Sequence, residues 1–306
     1  MAKRILVAGS SNIDFLLTTP YIPAPGETMI SSGKYAFTPG GKGANAAIAA
    51  KEMGAEVVFC SRVGDDAYGD RLVALFNERG IDTRYIKVDR IEQTGLAVVM
   101  LEKSGANRII VYSGANSKIS ENDVEEAFSC YPDAILTQFE IKPDAVIAAA
   151  KTAAYEGIPL FVDAGPADAS FPLERLEKVE IFSPNENETE ILTGIRPNNL
   201  ENCLRASIAL CNRVDIKYVV LKLGERGCFV YDGKYCDLIS PYDVNVVDTT
   251  AAGDVFTAAL TAEYLRTGDI LGSAKFANAA GALAVSKLGA VNSVPTLEEV
   301  KKLMNA

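Results

Sequence analysis

The stretch DTTAAGD, residues 248–254, sets a lone carboxylate, Asp254, behind Thr250, Ala251, Ala252 and Gly253. Phe256, Leu260 and Tyr264 follow at four-residue spacing, so the run predicts the start of a helix with one apolar face. A capping acid that complements the helix dipole would account for Asp254 alone. It would not account for the small residues in front of it. Small residues at a helix N-terminus leave backbone N–H groups open to an anion. An anion hole built from Ala251, Ala252 and Gly253, with Asp254 as the base beside it, accounts for both.

A second glycine-rich run, PGGKGANAA, occupies residues 39–47. Gly41, Gly43 and Ala46 satisfy the G-x-G-x-x-A pattern of dinucleotide sites, and Arg62 stands where a 2′-phosphate reader would. That pattern belongs in the first strand-to-helix turn, whereas here it follows a long irregular segment. A Walker A loop fails too, because no Gly-Lys pair precedes Ser or Thr. The better reading lets a small polyhydroxylated ligand approach the backbone at Gly40, Gly41 and Gly43. Lys42 and Asn45 then donate to its hydroxyls.

In GSSNIDFLL (9–17), read as the end of the first strand, Asp14 alone is a turn or cap residue. Paired with Lys42 and Asn45 it becomes an acceptor for vicinal hydroxyls. SPNENETEILTG (183–194) brings Asn185 and Glu188 to one face of a new helix, where helix capping explains them equally well. KLGERGCFVY (222–231) reads as strand, glycine turn and strand.

Composition narrows the chemistry. The 306 residues are 48% hydrophobic and 23% charged, the balance of a globular chain with a sizeable core. The net charge of −10 argues against nucleic-acid binding, which needs clustered Lys and Arg. Histidine is absent, so a catalytic base must be a carboxylate, Lys, Tyr or Cys. Six cysteines without a CxxC pair read as buried thiols in a reducing compartment. The opening MAKRILVAGS reads as a first strand, and no apolar run is long enough to span a membrane. The expectation is a cytoplasmic protein.

These groups need a frame. Apolar runs at 4–9, 57–61, 134–138, 159–163, 179–183 and 218–223 read as buried strands. Helical stretches such as 142–157 and 198–212 lie between several of them. The alternation predicts a mostly parallel sheet covered on both faces, with ligands beyond the carboxyl ends of its strands. Two segments break the rhythm. Residues 15–39 carry prolines and a Pro-Gly turn signal, and 94–114 read as two strands around Lys-Ser-Gly-Ala-Asn. Together they predict a small β lid over a large α/β body made of 1–14, 40–93 and 115–306. Leu16, Ile30, Val98 and Met100 are candidates for its outer face.

With GGKGANAA, NENE, KLGERG and DTTAAGD in this order and spacing, nearly the whole chain resembles the PfkB carbohydrate kinase family, in its ribose-phosphorylating form. The resemblance implies a three-layer αβα sandwich with a mostly parallel central sheet and a small β-sheet lid. It implies ATP- and Mg²⁺-dependent transfer of the γ-phosphoryl to the 5-hydroxyl of D-ribose. The alternatives are a sibling kinase for deoxyribose, another small sugar or a nucleoside, and a non-catalytic sugar-binding protein on the same fold.

By this likeness Asp254 is the catalytic base, and Asp14, Gly41, Lys42, Asn45 and Glu140 hold the sugar. Asn185, Lys222, Leu223, Gly224, Glu225, Arg226, Gly227, Gly253 and Asn278 contact ATP, and Glu188 organises Mg²⁺. A K⁺ site is implied at Asp248, Thr250, Ala284, Lys287, Gly289 and Ser293, and a homodimer through the lid. Many members carry Gly where this chain has Ala251.

Overall fold

The computed structural model of the chain describes residues 2–102 and 107–305. Elements are numbered in chain order. A nine-stranded sheet runs β13-β12-β11-β10-β9-β8-β1-β4-β5. Its parallel part contains β1 (Arg4–Ala8), β4 (Glu56–Gly64), β5 (Ile86–Asp89), β8 (Ala134–Gln138), β9 (Leu160–Asp163), β10 (Lys178–Ser183) and β11 (Asp215–Lys222). The antiparallel strands β12 (Cys228–Tyr231) and β13 (Cys236–Ile239) finish one edge. All six apolar runs read as strands lie in this sheet.

Both faces of the sheet are covered. Ile5 and Val7 of β1 pack with α1 (Lys42–Glu52), α7 (Ala252–Thr267) and α8 (Ile270–Val285). Leu6 and Ala8 pack on the other side with α3 (Glu121–Ala127), α4 (Pro143–Glu156) and α6 (Leu200–Cys211). The period of two along a strand thus feeds two cores, which is why the strands are apolar throughout. The remaining helices are α2 (Ala67–Glu78), α5 (Glu186–Thr193) and α9 (Leu297–Met304). None of the helices among the described residues is long and apolar enough to cross a membrane.

A second sheet has the order β3-β2-β6-β7, from β2 (Asn12–Thr19), β3 (Tyr35–Gly40), β6 (Gly95–Glu102) and β7 (Asn107–Tyr112). Two antiparallel pairs are joined by a parallel contact between β2 and β6. Residues 103–106 of the turn expected between β6 and β7 lie outside the described residues. Phe15 stacks on Phe37 at 4.4 Å, and Phe37 meets Tyr68 of α2 at 5.6 Å, which fastens this sheet to the body.

Three expectations are corrected. Asn12 and Asp14 do not end the first strand: β1 stops at Ala8, and both belong to β2 of the small sheet. Of the apolar residues expected on the outer face, Ile30 is exposed and Leu16, Val98 and Met100 are half-buried, but Leu16 pairs with Val99 and so lies on the opposite face of the sheet from Val98 and Met100. The edge strand β7 instead exposes Ile109, Ile110 and Val111. Cys236 is exposed and Cys211 half-buried, because Cys236 sits on the last, uncovered strand; the other four thiols are buried.

Candidate active site

The site is built around the first turns of α1 and α7. Gly41 precedes α1 with φ of +92°, a left-handed conformation that glycine adopts without a Cβ penalty. Gly43 then lies so close to β1 that a Cβ would meet the Gly9 carbonyl carbon and the Ser10 nitrogen at 2.5 Å. This contact lets α1 start directly behind the end of β1. Lys42 and Asn45, three residues apart, share the helix face that points at α7.

Asp254 is buried where the two helices meet. Lys42 Nζ donates to its Oδ1 at 3.1 Å, and Asn45 Nδ2 donates to its Oδ2 at 2.8 Å. Asp254 lies in the first turn of α7, where an acid complements the helix dipole, but the cap residue Ala251 makes no side-chain cap bond and the Asp254 carboxylate is taken up by α1. Two further carboxylates close the cluster. Glu140, just past β8, accepts from the Lys42 N–H at 2.9 Å and from the Ser10 hydroxyl. Asp14 projects from β2 into space that a Cβ on Gly40 would occupy. Burial, followed by the charges of Glu140 and Asp254, pushes the Asp14 carboxyl up to about 7. Burial alone would lower the Lys42 ammonium. The carboxylates of Asp254, Asp163, Glu188 and Glu140 hold it charged, above the usual lysine range.

On the far side of α7 lies a groove of about 930 Å³. Lys222, Leu223, Gly224, Glu225, Arg226 and Gly227 form one wall. Phe256, Asn278, Gly281 and Val285 of α7 and α8 form the other, and Ala252 and Gly253 close the end nearest Asp254. Asn278 Nδ2 donates to the carbonyls of Ile239 and Ser240, tying α8 to the end of β13. Asn185 does not line the groove. It caps α5 by accepting from the Glu188 N–H at 2.9 Å, and Glu188 Oε2 accepts from the Asn185 N–H at 2.7 Å. Burial lifts the Glu188 carboxyl above its ordinary range, against the opposing pull of Lys222.

The α7 N-terminus presents open donors. Val255 makes the first helical bond, to the Ala251 carbonyl at 2.9 Å, and the Ala252 N–H reaches Thr249 at 3.3 Å. Among the described residues, the N–H groups of Gly253 and Asp254 make no backbone bond of this kind. Ala251 adopts φ of +61°, the left-handed region that disfavours a Cβ. Ala251→Gly is therefore expected to raise stability by about 1 kcal/mol. Urea unfolding of the two proteins checks this, and an unchanged or lowered midpoint contradicts it.

Asp248 joins the chain ahead of α7 to the turn after α8. Its Oδ1 accepts from the Thr250 N–H (2.9 Å) and hydroxyl (2.6 Å), and its Oδ2 from the Gly289 N–H at 2.9 Å. Burial would raise this carboxyl, but these bonds hold it below the ordinary range. Ala284 accepts from the Lys287 N–H within the same turn, and Lys287 Nζ pairs with Glu299. Ser293 is buried and bonds to the Ala290 carbonyl at 2.8 Å.

Sequence reading passed over Asp163, which ends β9 and is 1% exposed. Lys222 Nζ donates to its Oδ2 at 2.7 Å, and Thr257 Oγ1 to the same atom at 2.8 Å. The available signal was an acid at the carboxyl end of a parallel strand, where such sheets place their ligands.

This arrangement has counterparts of known kind. Residues 2–297 match the model of the pfkB family of carbohydrate kinases, and the chain belongs to that family. A ribokinase of Haemophilus influenzae is 36% identical over 99% of both chains. A deoxyribokinase of Salmonella typhi is 28% identical over 98% of both. The solved structure of Arabidopsis thaliana ribokinase complexed with ribose and ATP superimposes with a TM-score of 0.91, at 34% identity over the full length of both chains. The protein is a phosphotransferase that acts on a sugar hydroxyl.

Proposed function

We propose that the chain transfers the γ-phosphoryl of ATP to the 5-hydroxyl of D-ribose, giving D-ribose 5-phosphate. The observation that carries this is the position of Asp254, between the carboxylate cluster on one side and the groove on the other. Asp14, Gly41, Lys42, Asn45 and Glu140 hold the sugar, and Asp254 orients its hydroxyl. The hydroxyl oxygen bonds to the γ-phosphorus as the bond to the β–γ bridging oxygen breaks, and the proton passes to Asp254. Ala251, Ala252 and Gly253 form the anion hole around the transferring phosphoryl, with the unbonded N–H of Gly253 as a donor, so positioning and charge neutralisation do most of the work. ATP lies along the groove against Lys222, Leu223, Gly224, Glu225, Arg226, Gly227 and Asn278, with Asn185 at the phosphate end.

Mg²⁺ binds one or two carboxylates, waters and phosphates, and it neutralises phosphate charge. No cluster of three acidic or thiol ligands exists among the described residues. Glu188, with one oxygen already accepting from Asn185, fits a role that holds the ion through water. K⁺ is coordinated by rings of oxygens, often backbone carbonyls. Asp248, Thr250, Ala284, Lys287, Gly289 and Ser293 offer such a set beside α7, with Asp248 already fixing both segments. K⁺ should therefore raise turnover well above Na⁺ at constant ionic strength, and Asp248→Ala should remove the difference. Indifference of the wild type to the cation would overturn this assignment.

Segments 15–39 and 94–114 act as a lid that excludes water from the sugar, on a body made of 1–14, 40–93 and 115–306. The exposed apolar edge of β7 supports a homodimer through this sheet. Deoxyribose is the competing acceptor, because the Salmonella typhi relative matches over nearly the whole chain. A coupled ADP-release assay over pentoses, hexoses and nucleosides separates them. A higher kcat/KM for D-ribose supports the proposal, and a preference for deoxyribose or a nucleoside overturns it.

A further inference from the structure

Asp163 and Lys222 form an ion pair in a dry place: their side chains are 2% and 10% exposed. Such a pair is held at a cost in desolvation, so stability alone is a weak reason for it. Its surroundings suggest another. Lys222 lines the groove, and its Nζ lies 3.5 Å from the point where a Cβ on Gly253 would stand. Thr257 Oγ1, one turn further along α7, donates to Asp163 Oδ2 and lies 3.1 Å from the Gly253 carbonyl. The Gly165 N–H donates to Asp163 Oδ1 at 3.2 Å. Three elements, β9, β11 and α7, thus converge on one ammonium at the mouth of the anion hole.

We propose that Asp163 is a positioning residue for phosphoryl transfer: with Thr257 it fixes the Lys222 ammonium beside Gly253, where that charge meets the transferring phosphoryl. This rests on the sugar-kinase reading above. A lysine has a flexible four-carbon stem and a point charge, and loose in a groove it would have to be ordered at each turnover. Anchored by a buried carboxylate, it is in place before the reaction begins, which is when electrostatic stabilisation is most effective. Lys222 touches the reacting group, and Asp163 acts only through Lys222.

The test is a double-mutant cycle of Asp163→Asn and Lys222→Gln, with kcat, KM for ATP and sugar, and the thermal midpoint measured for each protein. Lys222→Gln should lower kcat by about 10²–10³-fold, the usual effect of losing one preorganised donor. Asp163→Asn should lower kcat by on the order of tenfold or more, with a smaller change in KM for ATP. The double variant should be no slower than Lys222→Gln alone. Losses that multiply in the double variant, or a lowered midpoint with unchanged kcat, would show a structural staple and overturn the proposal. If Asp163→Asn does not fold, the same cycle with Thr257→Val decides: its effect on kcat must vanish in the Lys222→Gln background. A wild type without sugar-dependent ADP release fails the kinase reading. An active wild type with a multiplicative cycle fails this inference alone.

Discussion

Asp254→Asn is expected to lower kcat by on the order of 10²–10⁴, while sugar and ATP still bind. The substitution keeps the shape of the side chain, and its one carbonyl oxygen can accept from Lys42 or from Asn45, but not from both. What it loses is the second acceptor and the capacity to take the sugar proton. Because the carboxylate is buried between two donors, its replacement also leaves Lys42 without its nearest counter-charge. The loss should fall on kcat rather than on KM, since the interaction strengthens as the hydroxyl gives up its proton. Steady-state kinetics with both substrates varied provide the check. Turnover within threefold of the wild type, or a loss confined to KM, would remove Asp254 from the chemistry.

Removal of either sugar-side carboxylate should weaken ribose binding. Asp14→Ala and Glu140→Ala each delete a charged hydrogen bond, worth roughly 1.5–3 kcal/mol, or about ten- to hundredfold in affinity. Asp14 adds a pH signature. With its carboxyl pushed up to about 7, it is half protonated near neutrality and accepts fully only above that pH. Ribose affinity should therefore rise with pH through 7, and binding should release protons there. Linkage runs the other way for folding. The folded chain keeps this proton to a higher pH than the unfolded chain does, so the contribution is present at acid pH and lost as pH rises through 7. Asp14→Asn should flatten both dependences. Calorimetry in buffers of different ionisation heat reads the proton count, and equal ribose affinity in wild type and both Ala variants would place the sugar elsewhere.

The parts of this site that were legible are those whose local chemistry is distinctive. Small residues before Asp254 announce open N–H groups whatever lies around them, and Lys42 and Asn45 sit in a run whose glycines have a steric reason. Their meeting with Asp254, 212 and 209 residues away, follows from helices packed on one face of a parallel sheet. Asp163 was hidden because nothing near it in sequence names its partner. Lys222 reaches it across β10, so the contact depends on strand order, not on spacing. Asp14 was placed on the wrong strand because Gly9, Ser10 and Ser11 were read as part of the first strand, whereas they are the link that carries the chain from one sheet to the other. The left-handed backbone at Ala251 was invisible for a simpler reason: alanine gives no sign of a positive φ. The small sheet was readable as an interruption of the helix–strand rhythm. Its exposed edge was not, because burial on β2 and β6 depends on the strands beside them.

The most direct test of the central claim is the identity of the product. Purified protein incubated with ATP, Mg²⁺, K⁺ and D-ribose should yield one equivalent of ADP and one of a pentose phosphate. Phosphorus NMR with proton coupling should show the phosphorus split by the two C5 protons, as expected for D-ribose 5-phosphate. ADP formed with inorganic phosphate alone, or a phosphate coupled to the single C1 proton, would contradict the account.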